Sequence, residues 1–415
     1  MRCGAAAGGL SCTYCYQGAV RKGSKNEAPA AIDHEAVQRA VLAAAGPDGF
    51  SVFGGEPLLA PLADLEKLWA FGLAKYGKNG VQTGGRPITE DHVAAFKKYR
   101  VHVGFSVDGP DQLNDARRAG NTEQTRAATA HSIGMLRRCL KEGIGASLIV
   151  TLHKLNASAP RLPALLDWFR DLDAAGLSSA RLHLLELDGP GKLLALSPEE
   201  NVAALTACHE LEGSLTRLRF DVFDDIAKKL RDPDASATCV WNDCDPWTTP
   251  AVHGITASGG RGLCQRVHKD GKQWLPTAEA APRRVRQVVL WQTPQAEGGC
   301  QGCRFFLQCG GQCPGTAIGG DWRKRTVDCA TWFNLLERVE GQMLARGEQP
   351  ASLAPDLEAR VAERLSRYAK EAGVQGHGDA HGDSHGDSHG DHTDHGDHGD
   401  AVPVVQSLSG GEVVL

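Results

Sequence analysis

The sequence has no apolar run approaching the roughly 20 residues needed to cross a bilayer, so it is not read as transmembrane. It has no Lys/Arg stripe interleaved with aromatics, and its net charge is only −5. Neither feature points to nucleic acid. Met1-Arg2-Cys3-Gly4 and the few small residues after it are too short and too weakly apolar for a secretory signal, which sets a cytoplasmic expectation. With 41% hydrophobic and 23% charged residues the composition is that of a globular protein, and 415 residues, at roughly 150 per domain, suggest two or three domains. What the chain has in quantity is cysteine. There are 13, an odd number crowded toward the middle and the C-terminal third, and in a long chain without export features this favours metal ligation over a disulfide framework.

From Ile32 to Leu187 short β-branched or apolar runs alternate with longer stretches of helical spacing, the pattern of a parallel α/β unit. The expected strands are Phe50–Phe53, Gly80–Thr83, Val101–Val107, Ala146–Leu152 and Ala180–Leu187. The expected helices are His34–Ala45, Leu62–Tyr76, Glu90–Tyr99, Thr125–Glu142 and Leu162–Leu172. Five strands with crossover helices imply a curved parallel sheet or partial barrel with ligands at the C-terminal ends of the strands. Helices over Glu199–Leu215 and Val222–Leu230 lead out of this unit. Cys239–Cys329 is rich in Gly and Cys and poor in periodic segments, so it needs metal staples. Phe333–Gly347 and Leu357–Glu371 read as closing helices. The resulting division is 1–195 for the α/β unit, 196–238 for a helical linker, 239–335 for the cysteine-rich domain, 336–372 for the closing helices and 373–415 for a tail. That tail carries −8, which leaves +3 for the rest of the chain, and its composition cannot bury enough apolar surface to order itself.

Cys12-Thr13-Tyr14-Cys15 places two thiols on a Gly-rich loop, with Cys3 as a third candidate ligand. A CxxC alone is open to zinc, a redox pair or an iron–sulfur cluster. Gly54-Gly55-Glu56-Pro57 follows an expected strand, and its glycines allow backbone to approach a small polar ligand, although such a segment also serves as a plain turn. Ser106-Val107-Asp108-Gly109-Pro110 ends another strand at the same rim, where Ser106 and Asp108 are placed to meet ribose hydroxyls or simply to cap a turn.

Taken together, these three motifs resemble the radical S-adenosylmethionine (SAM) superfamily. The resemblance covers about residues 1–187 and implies a partial (βα)6 TIM-like barrel with a SAM-binding [4Fe–4S] cluster on Cys3, Cys12 and Cys15. It also implies an aromatic role beside the adenine for Tyr14, and contact of Gly54, Gly55, Glu56 and Pro57 with the SAM amino group. The family spacing is CxxxCxxC, whereas Cys3 gives Cx8CxxC. The family also places a strand before its first Cys, so the first barrel strand is expected to be missing here.

Cys300-x2-Cys303-x5-Cys309-x3-Cys313 and Cys329, preceded by Cys244-x14-Gly259-x4-Cys264, resemble the SPASM extension of peptide-modifying radical SAM enzymes; two zinc knuckles are the alternative. With Cys239 as an eighth ligand, the resemblance implies one auxiliary [4Fe–4S] cluster on Cys239, Cys244, Cys264 and Cys313 and another on Cys300, Cys303, Cys309 and Cys329. Full ligation suits both to electron transfer. Cys139 and Cys208 remain as buried thiols on helices. In the sulfatase-maturating branch an Asp follows the ligand matching Cys264; here Gln265 stands there, and Asp270 is the nearby substitute base.

The tail repeats His-Gly-Asp from His377 to Asp400, with His392-Thr393-Asp394 as a variant. Its imidazoles suit loose binding of Ni²⁺, Cu²⁺ or Zn²⁺. By the same resemblance it also has the form of a three-residue cyclophane substrate, an aromatic ring joined to the β-carbon of the third residue, carried in cis at high effective concentration. The function implied is oxidative modification of a ribosomally made precursor peptide, or of the chain's own tail, driven by SAM and a reducing donor of flavodoxin or ferredoxin type. Thioether formation, epimerisation, sulfatase-type formylglycine maturation and a non-enzymatic iron–sulfur metal-binding role are the alternatives.

Overall fold

The computed structural model describes residues 10–15, 31–44, 49–187, 189–249, 251–267 and 284–371. Cys3, Asp270 and the His-Gly-Asp tail lie outside these residues. The fold is α/β, with a parallel sheet followed by a cysteine-rich region.

Six strands, all parallel, form the main sheet in the order Ser51–Val52, Asn79–Thr83, Val101–Ser106, Ala146–Leu152, Ser179–Leu184 and Arg219–Phe220. Two short antiparallel ladders flank it. In chain order the strands are β1 (Ser11–Cys12), β2 (Ser51–Val52), β3 (Asn79–Thr83), β4 (Val101–Ser106), β5 (Arg117–Arg118), β6 (Ala146–Leu152), β7 (Ser179–Leu184), β8 (Arg219–Phe220), β9 (Gly254–Ile255) and β10 (Arg261–Gly262). The expectation of five strands is corrected to six. β8 pairs with β7 through Ser179–Arg219 and Ala180–Phe220, carrying the sheet past residue 195 into the segment read as a helical linker. Two residues are too few to display a period-2 pattern.

The helices that cover the sheet are α1 (His34–Ala44), α2 (Leu62–Tyr76), α3 (Glu90–Lys98), α4 (Thr122–Lys141), α5 (Leu162–Ala174), α6 (Pro198–Glu212) and α7 (Asp221–Arg231). α4 starts three residues before its expected start, because Asn121 and Gln124 form a capping box that satisfies the first-turn N–H groups. Ser197 and Glu200 do the same for α6, with Pro198 at its first position. α2 stops at Gly77, which takes the left-handed conformation at φ 71°.

β6 alternates buried and half-buried side chains along its whole length. Together with Val103, Phe105, Phe169 and Phe220 it forms a core closed to solvent. Each such side chain contributes about 1.5–3 kcal/mol by leaving water. Cys139 and Cys208 sit in this core, where burial pushes their thiols up to about 11 and about 12, as expected for inert packing residues.

The cysteine-rich region docks through α8 (Val285–Gln292), α9 (Cys329–Ala345) and α10 (Leu357–Glu371). α9 begins at Cys329, four residues before its expected start, and lies against α6 and α7. The β9–β10 hairpin reaches the other flank, where the Asp33 N–H donates to the Ala257 carbonyl at 2.9 Å. Among the described residues no helix is long and apolar enough to cross a membrane.

Candidate functional site

The first candidate centre lies at the C-terminal rim of the sheet. β1 pairs with β5 through Ser11–Arg118 and Cys12–Arg117, and the Thr13 N–H donates to the Ala116 carbonyl at 2.8 Å. These bonds hold the half-buried thiols of Cys12 and Cys15 on a fixed loop. Tyr14, between them, donates its hydroxyl to Asp108.

Asp108 is fully enclosed. Its Oδ1 accepts from Arg117 Nη2 and from the Thr151 N–H, both at 2.9 Å, and its Oδ2 accepts from Tyr14 and meets His153 Nε2 at 3.3 Å. Burial would raise the Asp108 carboxyl, but Arg117 and His153 hold it far below the ordinary carboxylate range. Burial keeps the Tyr14 phenol well above its ordinary value, so it remains a donor. The Arg117 guanidinium lies 5.5 Å from the centre of the Tyr14 ring, and the His153 ring lies 5.5 Å from it on a tilt of 43°.

The expectation that Asp108 meets a ribose is therefore corrected. Every acceptor direction of its carboxylate is taken inside the protein, so it buttresses Tyr14 and the cysteine loop. Ser106, half-buried at the end of β4, accepts from Gln82 Nε2 at 2.7 Å.

Gly54 and Gly55 have φ of 98° and 55°, the left-handed region that glycine enters without strain. Glu56 is buried and accepts from Thr83 Oγ1 at 2.7 Å, from the Gly84 N–H at 2.8 Å and from the Leu58 N–H at 3.3 Å. Burial raises this carboxyl, and the three donors oppose the rise. Its side chain thus fixes the loop after β2 to the loop after β3, and Pro57 is buried beneath it.

The eight cysteines read as auxiliary ligands fall into two groups. Cys300, Cys303, Cys309 and Cys329 line one cavity with Phe305, Phe306 and Phe333. Burial first, then the charge of neighbouring Cys303 and Cys329, pushes the Cys300 thiol up to about 12. Cys309 is likewise raised well above its ordinary value by burial and by the other three. Burial first, then neighbouring thiols of the second group, raises Cys244 and Cys264, the latter to about 11, and burial raises Cys313. Thiols crowded in apolar surroundings stay protonated unless a cation takes them, and four thiols per group is the donor set of a [4Fe–4S] cluster. Among the described residues no group of three or more His, Cys, Asp or Glu converges as the ligands of a single metal ion would.

A second cavity lies between β7, the start of α7 and the Cys239/Cys313 group. Arg181, His183, Asp221 and Arg266 line it. Arg181 pairs with Asp221, and Arg266 pairs with Glu186. Burial, then Arg266 and Arg181, hold the His183 imidazole well below its ordinary pKa, hence neutral. Gln265 is buried beside Cys264, where the sulfatase-maturating branch would have an Asp.

Sequence reading missed Arg117, His153 and His183. A usable signal existed for His153, which directly follows the end of β6 on the same rim, where strand-end residues gather around ligands.

Residues 8–161 match the model of the Radical SAM superfamily. An uncharacterised protein of Synechocystis is 30% identical over 175 residues, covering 39% of this chain and 42% of its own length, so the chain spans less than half of that relative. The serine-type anaerobic sulfatase-maturating enzyme of Bacteroides thetaiotaomicron is 24% identical over 69% of this chain and 72% of its own. Among solved structures, anSMEcpe with bound AdoMet superposes with a TM-score of 0.62 at 17% identity, over 81% of this chain and 95% of that one. Streptococcus suis SuiB bound to its precursor peptide SuiA gives 0.52 at 15%, over 78% and 73%. The two structural likenesses show a shared fold.

Proposed function

We propose that the chain is a radical SAM iron–sulfur enzyme, a SPASM-type maturase that oxidatively crosslinks a ribosomally made peptide. The observation that carries this reading is the enclosure of Cys300, Cys303, Cys309 and Cys329 around one cavity, with a second group of four cysteines alongside and a separate CxxC loop on the rim of the sheet. Cys12 and Cys15, with Cys3, would hold the SAM-binding cluster. The two groups of four would hold auxiliary clusters.

Bound at the rim, cluster and SAM supply a 5′-deoxyadenosyl radical able to take hydrogen from an unactivated carbon. The protein's part is placement. Arg117, Asp108 and His153 lock Tyr14 and the cysteine loop, and Gly54, Gly55 and Pro57 offer backbone to the ligand. The cavity lined by His183, Arg181 and Arg266 gives a peptide access between the rim and the Cys239/Cys313 group. Closing a bond onto an aromatic ring releases one electron and one proton beyond the hydrogen removed. Clusters held by the two groups of four cysteines would supply an acceptor for that electron, and a flavodoxin or ferredoxin donor would supply the priming electron.

The His-Gly-Asp repeats suit the substrate role, His to Asp cyclophane formation, whether in cis or as a copy of a separate precursor. Gln265 in place of Asp weighs against formylglycine formation. The test is anaerobic reconstitution with iron and sulfide, a strong reductant and SAM, followed by mass spectrometry. The expected result is 5′-deoxyadenosine and loss of two hydrogens per link within residues 376–400. No SAM cleavage with full clusters removes the enzyme reading. A tail unchanged under turnover removes its substrate role, and turnover of a peptide with no change in mass points to epimerisation.

A further inference from the structure

The guanidinium of Arg286, on α8, is completely buried between the two auxiliary cysteine groups. All five of its N–H donors are used, and each goes to a backbone carbonyl. Nε donates to Trp322 at 2.8 Å. Nη1 donates to Gly310 at 3.2 Å and to Gln312 at 2.8 Å, and Nη2 donates to Gly311 at 3.1 Å and to Lys324 at 3.0 Å. No carboxylate among the described residues hydrogen-bonds it. A buried cation with neutral acceptors alone is costly.

Gly310, Gly311 and Gln312 are also the whole link between Cys309 of one group and Cys313 of the other. Their φ values are 55°, 72° and 60°, so three successive residues are left-handed, and Gln312 has no glycine's freedom to be so. This turns their carbonyls onto Arg286. Side chains at the glycines are barred: a Cβ at Gly310 would lie 1.8 Å from Asp243 Oδ1, and one at Gly311 would lie 2.4 Å from Leu290 Cδ1. The groups whose charge Arg286 feels most are, in order, the thiols of Cys313, Cys300 and Cys309, then Asp243. Asp243 is itself engaged by Tyr368, whose hydroxyl donates to it at 2.8 Å, and by Arg364 at 4.0 Å.

We propose that Arg286 is the shared counter-charge of the two auxiliary clusters, fixing the Cys309–Cys313 link by its five-fold fork and raising the reduction potentials of both clusters together. The inference rests on the reading that both cysteine groups hold clusters. Four thiolates at each site supply the negative charge that the carbonyl shell lacks. A fixed positive charge between the sites favours the reduced, more negative state of each cluster, which is what an electron-accepting pair requires.

The experiment compares full-length wild type, Arg286→Met and Arg286→Lys after anaerobic reconstitution, by iron and sulfide content and by EPR-monitored redox titration. In R286M the reduced fraction of both auxiliary clusters at a fixed potential should fall about tenfold, with the signal of the rim cluster unmoved. R286K keeps the charge with fewer donors and should recover most of that loss. Unchanged auxiliary potentials in R286M, or equal losses in R286M and R286K, overturn the proposal. Should R286M fail to assemble, R286K decides: full auxiliary clusters at wild-type potentials support a charge role, and auxiliary loss with the rim cluster intact refutes it. A wild type without iron and sulfide defeats the underlying reading instead.

Discussion

Replacing Asp108 by Asn removes one negative charge and almost no volume, at a point where four donors converge. Asn keeps one oxygen for Arg117 and the Thr151 N–H, but turns an NH2 toward Tyr14 and His153 in place of an acceptor. Arg117 is nearly as buried as Asp108, so the change leaves its guanidinium without a counter-charge in a low-dielectric site. Breaking a buried pair from one side costs about 3–5 kcal/mol. For a domain of this size the melting temperature should fall by roughly 6–20 °C.

The pH dependence gives a second measurement with a definite sign. Asp108 is held below its ordinary range in the folded state, so its contribution is complete above the unfolded carboxyl pKa of about 3.9 and is lost as pH falls toward the folded value. The wild-type advantage over D108N should be full at pH 7 and shrink below about pH 4, by about 1.4 kcal/mol per unit. A double-mutant cycle with Arg117→Met isolates the pair: D108N/R117M should be less destabilised than the sum of the single changes. Thermal and urea unfolding of apoprotein supply both readings. A loss under about 1 kcal/mol at pH 7, or strict additivity in the cycle, refutes the claim that Asp108 buttresses the loop, since Asp–Arg pairs at exposed sites behave in that way.

Three further outcomes follow from the same reasoning. Cys329→Ala should reduce iron and sulfide by about one third if three four-iron clusters are present, as measured by elemental and sulfide analysis; undiminished iron would remove Cys329 from the ligand set. Gly259→Ala should destabilise by about 1–3 kcal/mol in urea, because a Cβ at its φ of 78° would lie 2.6 Å from the Ala36 backbone where the β9–β10 hairpin meets α1. His183 is neutral when folded and has an ordinary unfolded pKa near 6.5, so its contribution is full above that pH and is lost as pH falls. His183→Gln should therefore flatten the decline in apoprotein stability between about pH 6.5 and 5, and unfolding curves at closely spaced pH values that matched wild type would refute it.

Elements whose signal is local were legible in the sequence. Leu62–Tyr76, Ala146–Leu152 and Leu357–Glu371 run between the same residues in the structure as in the periodicity, whereas the set Cys300, Cys303, Cys309 and Cys329, which line one cavity, came from the family resemblance. What failed was long-range. Asp108 reads as a rim residue until Arg117, nine positions on, and His153, at the end of another strand, are seen to face it; residue type reports a carboxylate and says nothing of how many donors surround it. Arg286 is the same case in reverse. Within Val285–Gln292 it is one charged residue on a helix, ordinarily the solvent face, and only the turned carbonyls of Gly310, Gly311 and Gln312 convert it into a buried cation. Cysteine ligands are spaced along the chain by the geometry of short loops, whereas the charges that compensate them arrive from any element that packs nearby. A pattern of cysteines can thus be read from sequence while the charges packed against it cannot.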